Sequence, residues 1–254
     1  EHPIVLGPFF FFLSTPRLTA AVSNRGGLGS FGAHNLEPDA IGPQVDQIRA
    51  LTSRPFAINL WVSDHDPGGL DLDEETFERY FSLFEPYYAE LGLPKPKRPR
   101  RYHPCFEDQI EVLIDKRPAA ISFVFGVPAP KVLERCRERG IVTVGTASTL
   151  DEAKMLDAAR MDIIVASGFE AGGHRPSFLR PAEASLVGTF ALTQLVASRV
   201  SAPVIAAGGI VDGAGIRAAM LLGAQGAQLG TAFLATAESG TNDQHRAQLF
   251  GAQA

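Results

Sequence analysis

The chain has 254 residues, 45% of them hydrophobic, and a formal net charge of −5. That length suits a single (β/α)8 barrel, which needs about 250 residues, as well as one or two average domains. The acidic balance argues against a polyanion-binding surface, and no apolar run approaches the ~20 residues of a membrane span, so neither nucleic acid nor membrane is an expected partner.

Short apolar runs alternate with helix-like segments. Ile4–Leu6 reads as a first strand, and Ser14-Thr15-Pro16 opens a helix to about Ser23, with a capping hydroxyl and a proline in the first turn. Leu28–Phe31 reads as the second strand, Val45–Leu51 as the second helix and Phe56–Leu60 as the third strand. Residues 63–104 break the rhythm with Asp, Pro, Gly and basic residues, and a short helix is expected near Glu74–Glu85. The alternation resumes with helix Phe106–Lys116, strand Ala120–Phe125 and helix Lys131–Arg139, which Gly140 ends. Strand Ile141–Val144, helix 151–159, strand Ile163–Ala166, helix 188–200, strand Val204–Ala207, helix 213–222 and strand Ala227–Leu229 follow, with Asp212 placed to cap the last of these helices. Apolar strands separated by amphipathic helices imply a parallel sheet buried on both faces, and eight such units imply closure. The expected fold is therefore α/β: a (β/α)8 TIM barrel with an insertion after the third strand, residues 1–254 forming one domain.

In such a barrel, chemistry sits at the C-terminal ends of the strands, and phosphate binds at the loops after strands seven and eight. Gly208-Gly209 follows strand seven and Gly230-Thr231 follows strand eight. Both loops expose backbone N–H groups, the chemistry of a phosphate cradle. Their simpler reading is as turn glycines. His174 follows strand six on a loop with Gly172 and Gly173, which puts an ionisable group on the same rim. Its neighbour Glu170 could orient a loop, pair with a helix or act as a base. His34, His65, His103 and His245 have no comparable setting and read as surface groups. Gly27-Leu28-Gly29-Ser30-Phe31-Gly32 fits a dinucleotide fingerprint in letters only, because it follows a helix and contains a strand. The basic run Lys95–Arg101 is broken by prolines and reads as a solvated loop. Cys105 and Cys136 have no metal or redox spacing, which suggests a reducing, cytoplasmic setting; no metal is expected.

Taken together, the motifs resemble the FMN-dependent nitronate monooxygenases, formerly 2-nitropropane dioxygenases. The resemblance runs through Ser14-Thr15-Pro16, Ala20-Ala21-Val22-Ser23-Asn24, Gly26-Gly27-Leu28-Gly29 and Arg54-Pro55-Phe56-Ala57-Ile58-Asn59-Leu60. It continues through Glu170-Ala171-Gly172-Gly173-His174-Arg175, Pro203–Ile210 and Gln228-Leu229-Gly230-Thr231-Ala232-Phe233-Leu234. It implies FMN at the barrel mouth, with its phosphate on Gly208, Gly209, Gly230 and Thr231 and with Gln228 in the same segment. Asn59, Ser167 and Gly172 would line the flavin, and His174 would be the catalytic residue near its reactive face. The implied reaction oxidises a nitronate or nitroalkane with oxygen, releasing a carbonyl compound and nitrite. A related FMN-dependent enoyl-ACP reductase or NAD(P)H-dependent flavin oxidoreductase, and an inactive barrel with an altered flavin site, are the alternatives; a homodimer is left open. Three positions depart from the family pattern. Ser167 replaces a common Gln. Pro8 and the run Phe9–Phe12 replace a glycine-rich loop, which predicts a crowded cofactor mouth with either weaker flavin occupancy or a displaced first loop. Family members also continue past the position of Ala254, which suggests a missing C-terminal part.

Overall fold

The computed structural model describes residues 1–62, 73–99 and 102–251. Eight parallel strands form one sheet in the order β1-β8-β7-β6-β5-β4-β3-β2. They are β1 (Ile4–Leu6), β2 (Gly29–Gly32), β3 (Phe56–Trp61), β4 (Ala120–Val124), β5 (Val142–Ala147), β6 (Ile163–Ser167), β7 (Val204–Ala207) and β8 (Gly226–Leu229). The ends meet: Val5 bridges Leu28 in parallel, Leu6 N–H donates to Leu28 O at 2.9 Å, and Leu28 N–H donates to Ile4 O at 2.9 Å. The sheet thus forms the (β/α)8 barrel that the alternation predicts.

The helices lie outside. They are α1 (Pro16–Asn24), α2 (Pro38–Leu51), α3 (Glu74–Glu90), α4 (Phe106–Lys116), α5 (Pro130–Glu138), α6 (Leu150–Ala158), α7 (Thr189–Ala197), α8 (Gly213–Leu221), α9 (Thr231–Leu234) and α10 (Asp243–Gln248). Thr15 caps α1 by accepting from Leu18 N–H at 2.9 Å, and Asp212 caps α8 by accepting from Gly215 N–H at 2.8 Å. Two helices outrun expectation. α2 starts at Pro38 rather than near Val45 and contains Pro43; α3 continues through Pro86 to Glu90. Internal prolines locally read as stops, and tertiary packing overrode them: Ile41, Val45 and Ile48 of α2 are all buried. Among the described residues, no helix is long and apolar enough to cross a membrane.

The alternation of strand residues builds the site. Phe56, Ile58 and Leu60 of β3 face the helices and join the large outer core. Ala57, one position out of phase, packs inside the barrel with Ala120, Val144, Val165, Ile205 and Ala207. Two residues further along β3, β4, β5 and β6 the inward positions are Asn59, Ser122, Thr146 and Ser167. An apolar floor therefore carries a polar layer at the C-terminal mouth. Each fully buried Leu or Ile of the outer core contributes about 1.5–3 kcal/mol, which holds the strand ends in place.

Candidate active site

The mouth opens into a cavity of about 490 Å³ bordered by loops from both halves of the barrel. All nine residues singled out from the sequence border it: Asn59, Ser167, Gly172, His174, Gly208, Gly209, Gln228, Gly230 and Thr231. One end is glycine-rich. Gly208 has φ +117° and Gly209 φ +65°, backbone that L side chains rarely adopt. A Cβ on Gly208 would lie 2.5 Å from Thr189 Oγ1 and 2.8 Å from Ala171 N. Neither glycine's N–H donates to another backbone group among the described residues. Thr231 begins α9, so its own N–H is one of the unpaired donors of a helix start. α9 has only four residues, so the helix dipole expected after strand eight is a small one.

The middle of the cavity is the polar layer. Asn59 Nδ2 donates to Ser122 O at 3.1 Å and to Ser122 Oγ at 3.0 Å, which fixes the amide. Ser167 O accepts from Arg175 Nη1 at 2.9 Å.

The far end is aromatic. His174 is exposed on the rim, with its ring centroid 4.8 Å from Trp61, 5.7 Å from Phe10 and 6.3 Å from Phe125. His34 lies flat on Trp61 at 3.9 Å with an interplanar angle of 1°, and 4.6 Å from Phe10. The surface reading of His34 is therefore corrected: it is 8% exposed, because Phe10 and Trp61 cover it from distant parts of the chain. His103 is likewise half-buried, with Nδ1 3.1 Å from Pro104 O. His245 is exposed as expected, but it borders the cavity. His65 lies outside the described residues. Of the phenylalanine run, Phe9 packs towards Leu6 and Leu18, Phe10 lines the cavity and Phe12 is exposed. Ser14 anchors this loop: its Oγ accepts from Phe9 N–H at 3.0 Å and from Gly32 N–H at 3.2 Å.

Two groups hold the loop that carries His174. Glu170 Oε2 accepts from Thr189 N–H and Thr189 Oγ1, each at 2.8 Å. Burial pushes the Glu170 carboxyl up, but its own backbone N–H and the Thr189 bonds outweigh that, and its pKa lies below the usual carboxylate range. It pairs with the N-terminus of α7, one of the readings its sequence position left open. Arg175 donates to Ser167 O, Ser148 O at 3.2 Å and Ser185 O, tying the loop to β5 and β6.

Burial lowers the His34 pKa from 6.5 to about 3, with a smaller push from nearby His174. The unfolded chain therefore takes up a proton below about pH 6.5 that the folded chain refuses until about pH 3. His34's contribution is intact above that window and is lost as pH falls through it. Between pH 7 and pH 5 the loss is about 2 kcal/mol. Urea unfolding at the two pH values should show this drop in the wild type and its absence in His34→Phe; equal slopes would contradict it.

A nitronate monooxygenase family model matches residues 1–254, the whole chain. The chain belongs to the nitronate monooxygenase family. It is 41% identical over 254 residues to a nitronate monooxygenase of Paraburkholderia phytofirmans, covering 99% of this chain and 68% of that one. Among solved structures it resembles nitroalkane oxidase from Streptomyces ansochromogenes, with TM-score 0.87 and 34% identity over 100% of this chain and 72% of that one. It also resembles FabK from Thermotoga maritima, with TM-score 0.70 and 30% identity over 94% of this chain and 61% of that one. The chain thus spans about two thirds of the length of these relatives. Membership of the nitronate monooxygenase family makes it a flavin-dependent oxidoreductase by descent, and the cavity at the strand ends is where such a barrel does its chemistry.

Proposed function

We propose that the chain binds FMN and oxidises nitronates, or nitroalkanes through their nitronates, to carbonyl compounds and nitrite with oxygen. The observation that carries this reading is one cavity with unpaired backbone donors at one end and an ionisable histidine at the other. The donors suit a phosphate: Gly208, Gly209, Gly230 and Thr231 would hold it, with Gln228 beside them. A cavity of about 490 Å³ is of the size that cofactor sites occupy, roughly 300–1,000 Å³. Asn59, Ser167 and Gly172 would line the ring system. FMN, when bound, supplies the electron acceptor.

The remaining work belongs to the chain. Phe10, Trp61 and Phe125 exclude water from the substrate end and strengthen electrostatics there. His174 stands at the rim, where neutral imidazole takes a proton from the carbon bearing a nitro group and imidazolium holds an anionic nitronate. Oxygen uptake and nitrite release from a nitronate test the reading together. Flavin-loaded protein that consumes a nitronate without releasing nitrite would overturn it.

Two variants test the phosphate end. Gly209→Val forces a β-branched residue into left-handed backbone beside Glu170 Cβ, 3.3 Å from the new Cβ. Gly209→Asn tolerates that backbone but still fills the cradle. Each should weaken FMN binding by about 10- to 100-fold, the worth of one lost hydrogen bond to a charged group. Unchanged FMN titrations in both variants would remove Gly209 from the site.

A further inference from the structure

His34 lies on the loop after β2. It is 8% exposed, yet neither Nδ1 nor Nε2 has a hydrogen-bond partner among the described residues. Buried polar groups are almost always paired, and an exception calls for an explanation, a bound ligand being one. Trp61 covers one face of the imidazole at 3.9 Å, and Phe10 packs at 4.6 Å and 21°. Stacking fixes the plane, both ring nitrogens are enclosed by neighbouring atoms without a hydrogen-bond partner among the described residues, and His34 borders the same cavity as His174.

We propose that His34 is a substrate-binding residue: its ring N–H donates to an oxygen of the anionic –CNO₂ group, in a slot walled by Phe10, Trp61 and Phe125 that takes nitronates with planar apolar substituents. The inference rests on the nitronate reading above and adds to it a residue and a substrate class. Burial keeps the imidazole neutral, so it carries one donor and one acceptor. A neutral donor suits an anion without creating a buried charge when the slot is empty. The aromatic walls favour a flat apolar group beside that anion. His174, whose ring centroid lies 4.8 Å from that of Trp61, is exposed on the rim.

Trp61 is the single tryptophan of the chain, so its fluorescence reports this slot without turnover and without flavin. The test titrates the full chain, with and without FMN, with phenylacetate and with acetate, planar carboxylates that stand in for the nitronate group. Phenylacetate should bind at least ~10-fold more tightly than acetate. His34→Phe and His34→Leu should each weaken phenylacetate by about 10- to 100-fold. His34→Asn, which keeps an N–H donor, should recover part of that loss. Because His34 has no hydrogen-bond partner among the described residues and Leu keeps an apolar side chain between Phe10 and Trp61, His34→Leu should keep the wild-type melting temperature at pH 7.5 and the wild-type flavin content. Equal phenylacetate affinity in wild type and His34→Phe would overturn the proposal. So would a fall in melting temperature of several degrees in both apolar variants, which would make His34 a structural residue. If the His34 variants lose phenylacetate while the wild type leaves nitronates unoxidised, the anion slot stands and the nitronate reading fails.

Discussion

His174→Ala should slow turnover of a neutral nitroalkane by about 10²–10⁴-fold and leave flavin bound. The residue sits on the cavity rim against Trp61 and Phe125, on a different loop from Gly208, Gly209 and Gly230. Truncating it removes a proton acceptor and leaves the cradle untouched. With a preformed nitronate there is no proton to abstract, so the loss should shrink and move mainly into KM. Steady-state kinetics on a nitroalkane and on its nitronate check both halves. Wild-type kinetics on both substrates would remove His174 from the chemistry.

Glu152→Ala should cost about 3–5 kcal/mol of stability, because it strips one acceptor from five donors at once. Glu152 is fully buried in the first turn of α6. Its Oε2 accepts from Ser148 N–H at 2.8 Å, Ser148 Oγ at 2.7 Å and Thr149 N–H at 3.1 Å. Its Oε1 accepts from Phe178 N–H at 2.8 Å and Leu179 N–H at 3.1 Å. One carboxylate thus caps α6 and clamps the stretch just after His174. Glu152→Gln keeps one acceptor oxygen and should lose roughly half as much. Urea unfolding measures the difference; a loss below about 1 kcal/mol for Glu152→Ala would show that the clamp contributes little. The same loosening should lower kcat on a nitroalkane more than it changes flavin content, since the proposed phosphate residues Gly208, Gly209, Gly230 and Thr231 lie on other loops.

Much of this was legible in the chain. Eight apolar runs and their spacing were enough for the barrel, and counting strands placed Gly208-Gly209 and Gly230-Thr231 on the loops after strands seven and eight. Period-two alternation also held more than the motifs did: if Ala57 and Asn59 face inward, Trp61 must as well; register pairs Asn59 with Ser122 of β4 and Ser122 with Val144 of β5, two residues before Thr146 on the same face. His34 offered no such signal. Ala33-His34-Asn35 reads as a polar loop, and its burial is made by Phe10 and Trp61, which no local pattern joins to it. The clamp of Glu152 was hidden for a related reason. A capping-box glutamate is visible at the start of α6, but its second oxygen bonds to Phe178 and Leu179, a contact only the folded chain creates. Pro43 and Pro86 lie inside α2 and α3, helices that packing sustains beyond the spans read from the sequence.

The central claim is that this barrel mouth holds a flavin and presents it to a nitronate. The visible absorption spectrum of the full chain, recorded after incubation with FMN and desalting and again after anaerobic addition of a primary nitronate, tests it most directly. The account predicts a bound flavin spectrum that bleaches when the nitronate is added. A colourless protein, or a flavin spectrum that the nitronate leaves unchanged, would contradict it.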